Sequence, residues 1–235
     1  MHFALLLALC VTSVSARSLR LVLDSGHTVQ QPGALGVRGI YEVNYNDNLV
    51  FKLAQALKNA GNTVLLTRAD KQSVLSLNDR VKFTIESKGD LFLAIHHDSV
   101  QLQYLDKIQV DGRTAFRTKS PITGYSLFVS RLNPNFEKSY GFAKILGTQM
   151  SLLGRHPATH HAEPIPGENR EFLDPFLGIY RFDKLIVLRN AVIPAVLIEV
   201  GVIVDPIDEA HINDQQNQTK IINAIVDAVA IYGVR

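Results

Sequence analysis

The feature that most constrains this chain is an alternation. Short apolar runs at Leu19 to Leu23, Thr63 to Thr67, Leu91 to Ile95, Tyr125 to Val129 and Ala195 to Val200 read as strands, and segments with helical spacing separate most of them. Strands interleaved with helices predict an α/β layer fold with a largely parallel sheet. A length of 235 residues, 46% of them hydrophobic, suits one globular domain with a sizeable core.

The punctuation between the runs is specific. A first helix is expected from about Asn44 to Asn46, with Val50, Leu53, Ala54 and Leu57 on one face and a stop at Gly61. A second opens on Ser76-Leu77-Asn78-Asp79, a capping-box pattern, carries Leu77, Val81 and Ile85 at helical spacing, and stops at Gly89. A third is expected over about 137–153, and a last one over about 216–232 that buries Ile222, Ile225, Val226 and Val229. Residues 155–178 break the pattern with prolines, histidines and charges, and read as a long surface insertion.

Residues 1–16, MHFALLLALCVTSVSA, hold no Lys, Arg, Asp or Glu and end in small residues before Arg17. This is the apolar core and cleavage pattern of a secretory signal peptide, without the usual positive start, and the run is too short to cross roughly 30 Å of hydrocarbon. The expectation is a secreted protein, periplasmic first and extracellular second, with no membrane span. The only cysteine, Cys10, leaves with the leader, so any metal must be held by His, Asp or Glu. A net charge of +2 with no Lys/Arg run gives no footprint for nucleic acid.

Three of the strand-like runs lead into unusual residues. The first reaches Asp24-Ser25-Gly26-His27, the Leu91 run reaches His96-His97-Asp98, and the Ala195 run reaches Glu199. Ligands in open α/β sheets bind outside the carboxyl ends of strands, so these positions are candidates for one shared site. Glu199 is flanked by Val, Leu and Ile, and a buried carboxylate needs a cation or donors to offset its desolvation. A catalytic zinc site takes three protein ligands, two His and a Glu being one attested set, and leaves a fourth position to water. His27, Glu42 and His96 fit that inventory, which leaves Glu199 as a general base. His97 remains an alternative to His96, because neighbours on an extended chain face opposite ways.

The order of motifs is itself informative. Asp24-Ser25-Gly26-His27, Pro32-Gly33-Ala34, Gly36, Gly39, Glu42 and Asn46 are followed by Leu66-Thr67-Arg68-Ala69-Asp70, Leu77-Asn78-Asp79-Arg80, the Asp90 to His96 run and Pro194 to Gly201. In this order they resemble the zinc-dependent N-acetylmuramoyl-L-alanine amidases of the amidase 3 family over nearly the whole chain after the leader. The resemblance implies a single twisted, mostly parallel sheet flanked by helices, of the phosphorylase/hydrolase-like kind. It implies one Zn2+ per chain held by His27, Glu42 and His96, with Glu199 as the catalytic acid–base. Peptidoglycan is the implied partner, the bond cut being the amide between N-acetylmuramic acid and L-alanine, and a protein activator is admitted as a second partner.

Two departures stand out. The family usually has Pro where Ser25 stands, and a small residue where His97 stands. His97, Asn46 and Arg80 are expected to touch substrate or to support the ligands, Arg80 through a substrate carboxylate or a structural ion pair. His156, His160, His161, Glu163 and Glu168 in the insertion are read as a solvent-exposed loop forming a substrate-contacting rim or lid. The alternatives are a zinc carboxypeptidase or endopeptidase acting on the stem peptide, and a catalytically inactive wall-binding protein.

Overall fold

The computed structural model describes residues 17–234, and the expected leader lies outside them. In chain order the elements are β1 (Arg20–Ser25), α1 (Glu42–Asn59), β2 (Thr63–Leu66), α2 (Leu77–Ser87), β3 (Leu91–Asp98), β4 (Leu105–Val110), β5 (Arg113–Thr118), β6 (Ser126–Val129) and α3 (Phe136–Leu152). There follow β7 (Phe172–Asp174), β8 (Ile179–Arg181), α4 (Ile186–Arg189), β9 (Ala195–Val202), α5 (Pro206–Asn213) and α6 (Gln215–Gly233). Among the described residues, the main sheet has seven strands in the order β2-β1-β3-β9-β6-β8-β7.

From β2 to β9 the pairs are parallel, as the alternation predicts. β6 then runs antiparallel to β9, and β7 antiparallel to β8, so the sheet is mixed at one side. All five expected strands and the four expected helices are present. The β4–β5 hairpin was not anticipated, although Asp111-Gly112, both at positive φ, is the two-residue turn such a hairpin needs.

β3 explains why a strand can be apolar without alternation. Leu91, Leu93 and Ile95 pack in the core under α1, α3 and α6, whereas Phe92 and Ala94 pack on the opposite face with Val187 and Leu188 of α4. Both faces are covered, so both need apolar side chains. β9 behaves alike, with Val196, Ile198 and Val200 on the first face and Ala195 and Leu197 on the second. Carrying this parity forward puts His96, Asp98 and Glu199 on the α4 face, and His97 on the α1 face.

The reading of 155–178 as solvent-exposed does not hold over its first seven residues. Arg155 is buried and pairs with Asp208 at 2.6 Å, and Ala158, His160 and His161 are buried. The two histidines enter the interior because Asp98 and Glu168 meet them there, which offsets the cost of desolvating polar rings. No helix among the described residues is long and apolar enough to cross a membrane.

Candidate metal centre

The site is assembled by the turn after β1. Gly26 lies so close to the His96 ring that an added Cβ would overlap it, and His27 follows in the left-handed region at φ 67°. Arg80 of α2 holds this turn, donating from Nη1 to the Ser25 carbonyl at 2.7 Å and from Nη2 to the His27 carbonyl at 2.6 Å, while also pairing with Asp24. The chain then passes Gly33, at φ 77°, where a side chain would strike the Glu42 carboxylate.

Glu42 opens α1. The helix has no side-chain cap, because the loop supplies carbonyls instead: Ala34 accepts from the Glu42 N–H at 2.8 Å and Pro32 from that of Val43 at 3.0 Å. The helix therefore begins ahead of the expected Asn44. Its positive end favours a carboxylate at this position.

Three side chains converge on one point. Glu42 Oε2 is 2.9 Å from His27 Nε2, and Glu42 Oε1 is 3.0 Å from His96 Nδ1. One ligand atom from each lies within 4.8 Å of the others. Burial pushes the Glu42 carboxyl up, but the hydrogen bonds and charge of His27 and His96 overturn this and hold it well below the usual carboxylate range. Glu42 is therefore ionised and available as a ligand.

Glu199 sits beside this cluster, since His96 and Glu199 are partners across β3 and β9. Its Oε2 is buried without a hydrogen-bond partner. Burial raises its carboxyl well above the normal range, reinforced by the charges of Asp98 and Glu42 and opposed by Arg170. A cavity of 300 Å³ opens at His27 and His96, its lining including the polar Thr28 and Gln31 and the apolar Leu75, Leu77, Leu185 and Val187.

Comparison with known proteins decides the family. The sequence profile of the amidase 3 family, N-acetylmuramoyl-L-alanine amidase, matches residues 21–230. The chain belongs to this amidase family. It is similar to the probable cell wall amidase LytH of Staphylococcus epidermidis, 29% identical over 225 residues, covering 94% of this chain and 61% of that protein. The chain thus spans about three fifths of the length of that curated relative. Among solved structures it resembles the catalytic domain of CwlV, an N-acetylmuramoyl-L-alanine amidase of Bacillus (Paenibacillus) polymyxa, with a TM-score of 0.66 and 26% identity over 91% of this chain and 97% of that one. The CwlD amidase of Clostridioides difficile, solved in complex with the GerS lipoprotein, shares the fold with a TM-score of 0.67 and 21% identity, over 92% and 98% of the two chains.

The remaining expected residues take supporting places. His97 turns away from the cluster, its Nδ1 bonded to Asn46 Oδ1 at 2.7 Å and its ring against Tyr45. Burial lowers its pKa to about 3, so the ring is neutral. Asn46 in turn donates to Glu42 Oε1 and to the Gly26 carbonyl, each at 3.2 Å. Arg80 forms an ion pair with Asp24 and donates to two carbonyls, which holds the His27 turn. Sequence reasoning passed over Asp98, although it stands two residues past His96 and so on the same face of an extended strand.

Proposed function

We propose that this chain is a secreted zinc-dependent N-acetylmuramoyl-L-alanine amidase, hydrolysing the amide between N-acetylmuramic acid and the L-alanine of the stem peptide. The observation that carries the reading is the convergence of His27, Glu42 and His96 beside a buried carboxyl, Glu199, within a chain of the amidase family.

The residues fit the ion. Two imidazoles and a carboxylate are a known zinc set, and one ligand atom from each lies within 4.8 Å of the others. When bound, zinc would supply Lewis acidity, polarising the scissile carbonyl and acidifying water. Glu199 accepts the proton that water loses and delivers it to the departing alanine nitrogen, a task suited to a carboxyl whose affinity for protons is raised. His97 and Asn46 fix the position of Glu42, and Arg80 fixes that of His27. Leu75, Leu77, Leu185 and Val187 in the cavity lining offer apolar surface to the bound peptide.

The leader over residues 1–16 supports export, with the periplasm as the first compartment and the outside of the cell as the second. A protein activator is a further proposed partner; the CwlD–GerS complex shows that a protein of this fold binds a lipoprotein.

Mass analysis of peptidoglycan digested with the purified protein tests the reading. Stem peptides with a free L-alanine amino terminus and intact muramic acid are expected. Shortened stem peptides still attached to the glycan would show a peptidase instead, and an undigested wall that retains the protein would show a binder.

A further inference from the structure

Away from His27, Glu42 and His96, a second cluster remains unaccounted for. Asp98 ends β3, and His160 and His161 reach it from the 155–178 segment; all three are buried. His161 Nε2 is 2.9 Å and His160 Nε2 is 3.2 Å from the same atom, Asp98 Oδ2. We propose that Asp98, His160 and His161 form a second site for a divalent transition-metal cation, which pins the 155–178 segment to β3.

His160 is the residue that a metal-free network leaves unexplained. It is 3% exposed, and neither ring nitrogen has a hydrogen-bond partner among the described residues, the approach of Nε2 to Asp98 being poorly aligned for one. Leaving such a ring dry and unpaired is costly, whereas a cation between the rings and Asp98 would take its lone pair. An ion pair between a charged His161 and Asp98 satisfies His161 alone.

The surroundings of His161 have the form that metal-binding histidines need. Its Nδ1 is 2.9 Å from Glu168 Oε2, so the ring is oriented by one carboxylate while Nε2 faces the cluster. Glu168 is itself held by Gln101 Nε2 at 2.9 Å and by Arg170. The ligand atoms lie within 4.8 Å of one another, and the edges of 2.9 and 3.2 Å are close to the roughly 3.3 Å of a tetrahedral ion with bonds near 2.0–2.1 Å. Two imidazoles and one carboxylate favour Zn2+, Co2+ or Ni2+ over the oxygen-seeking Mg2+ and Ca2+.

The proposal does not depend on the amidase reading, and metal counting separates the two. Purified protein is dialysed against micromolar Zn2+ and its zinc measured, in the wild type, in a His160→Gln/His161→Gln variant and in a His27→Gln/His96→Gln variant, with circular dichroism as the check on folding. The first variant is expected to hold one ion fewer than the wild type, and the second to keep the ion at Asp98. If the His160/His161 variant holds as many ions as the wild type, the site does not exist. Failure to lose an ion on changing His27 and His96 would count against the amidase centre alone.

A milder change keeps the test open should that variant unfold. Glu168→Gln preserves the shape around His161 and is expected to weaken one ion by about 10–100-fold in a Co2+ titration, leaving any other unchanged. Affinities equal to wild type throughout would overturn the proposal.

Discussion

Arg80 donates to the backbone carbonyl of His27, across 53 residues of sequence, from a guanidinium that is almost fully buried. His27 sits at φ 67°, a conformation that costs a non-glycine residue about 1–3 kcal/mol and persists only where neighbours enforce it. A lysine offers a point charge and cannot bridge Asp24 and two carbonyls at once. Arg80→Lys is therefore expected to lower zinc affinity and kcat by about 10–100-fold, with KM for a muropeptide little changed. A loss confined to KM would show that Arg80 binds substrate instead.

Gly26 and Gly33 are close-approach positions. An added Cβ at Gly26 would fall on the His96 ring, and one at Gly33 on the Glu42 carboxylate, with Gly33 also at φ 77°. Gly26→Ala is expected to displace His96 and lose the zinc proposed for the His27 cluster, while the sheet survives because the clash falls on the His96 side chain and not on strand backbone. Zinc content beside far-ultraviolet circular dichroism checks this; a zinc-replete Gly26→Ala protein would contradict the geometry.

Much of this was legible in the sequence where side-chain pattern and backbone agree. Counting along β3 puts His96 and His97 on opposite faces, Leu91, Leu93, Ile95 and His97 on one and Phe92, Ala94 and His96 on the other. Parity does not say which face meets Glu42; only the family position points to His96. The start of α1 was not legible, since its cap is the backbone of Pro32 and Ala34, which no side chain announces. The burial of His160 and His161 was hidden for a related reason. Their partners Asp98 and Glu168 are charged, and composition alone makes a run of His, Glu and Pro look solvated.

Ser25, where the family usually has proline, takes part in a buried network. Its hydroxyl donates to Asp47 Oδ1 at 2.6 Å and accepts from Arg68 Nη2 at 3.1 Å, and Arg68 pairs directly with Asp47. The Arg68 side chain is 0% exposed and that of Asp47 3%. Removing one partner of such a pair strands a charge, at a cost of about 3–5 kcal/mol. Asp47→Ala should lower the melting temperature by roughly 10 °C, given about 2–4 °C per kcal/mol for a domain of this size. Ser25→Ala, which leaves the ion pair intact, should cost about 1–3 kcal/mol. Thermal melts of both variants decide it, and an Asp47→Ala protein as stable as wild type would mean that solvent reaches Arg68.

Glu199 is the residue where stability and chemistry pull apart. Its Oε2 is buried without a partner, and burial together with Asp98 and Glu42 disfavours its charged form. A neutral amide of the same shape is freed of that electrostatic penalty but cannot take a proton. Glu199→Gln is expected to keep zinc content and to melt at or above the wild-type temperature, while kcat on peptidoglycan falls by about 10²–10⁴-fold, the usual contribution of a positioned acid–base group. Zinc analysis, a melt and a product assay on the same preparation separate the possibilities. If wall solubilisation stays at the wild-type level, Glu199 is not the base; if zinc is lost with activity, Glu199 acts by holding the metal cluster together.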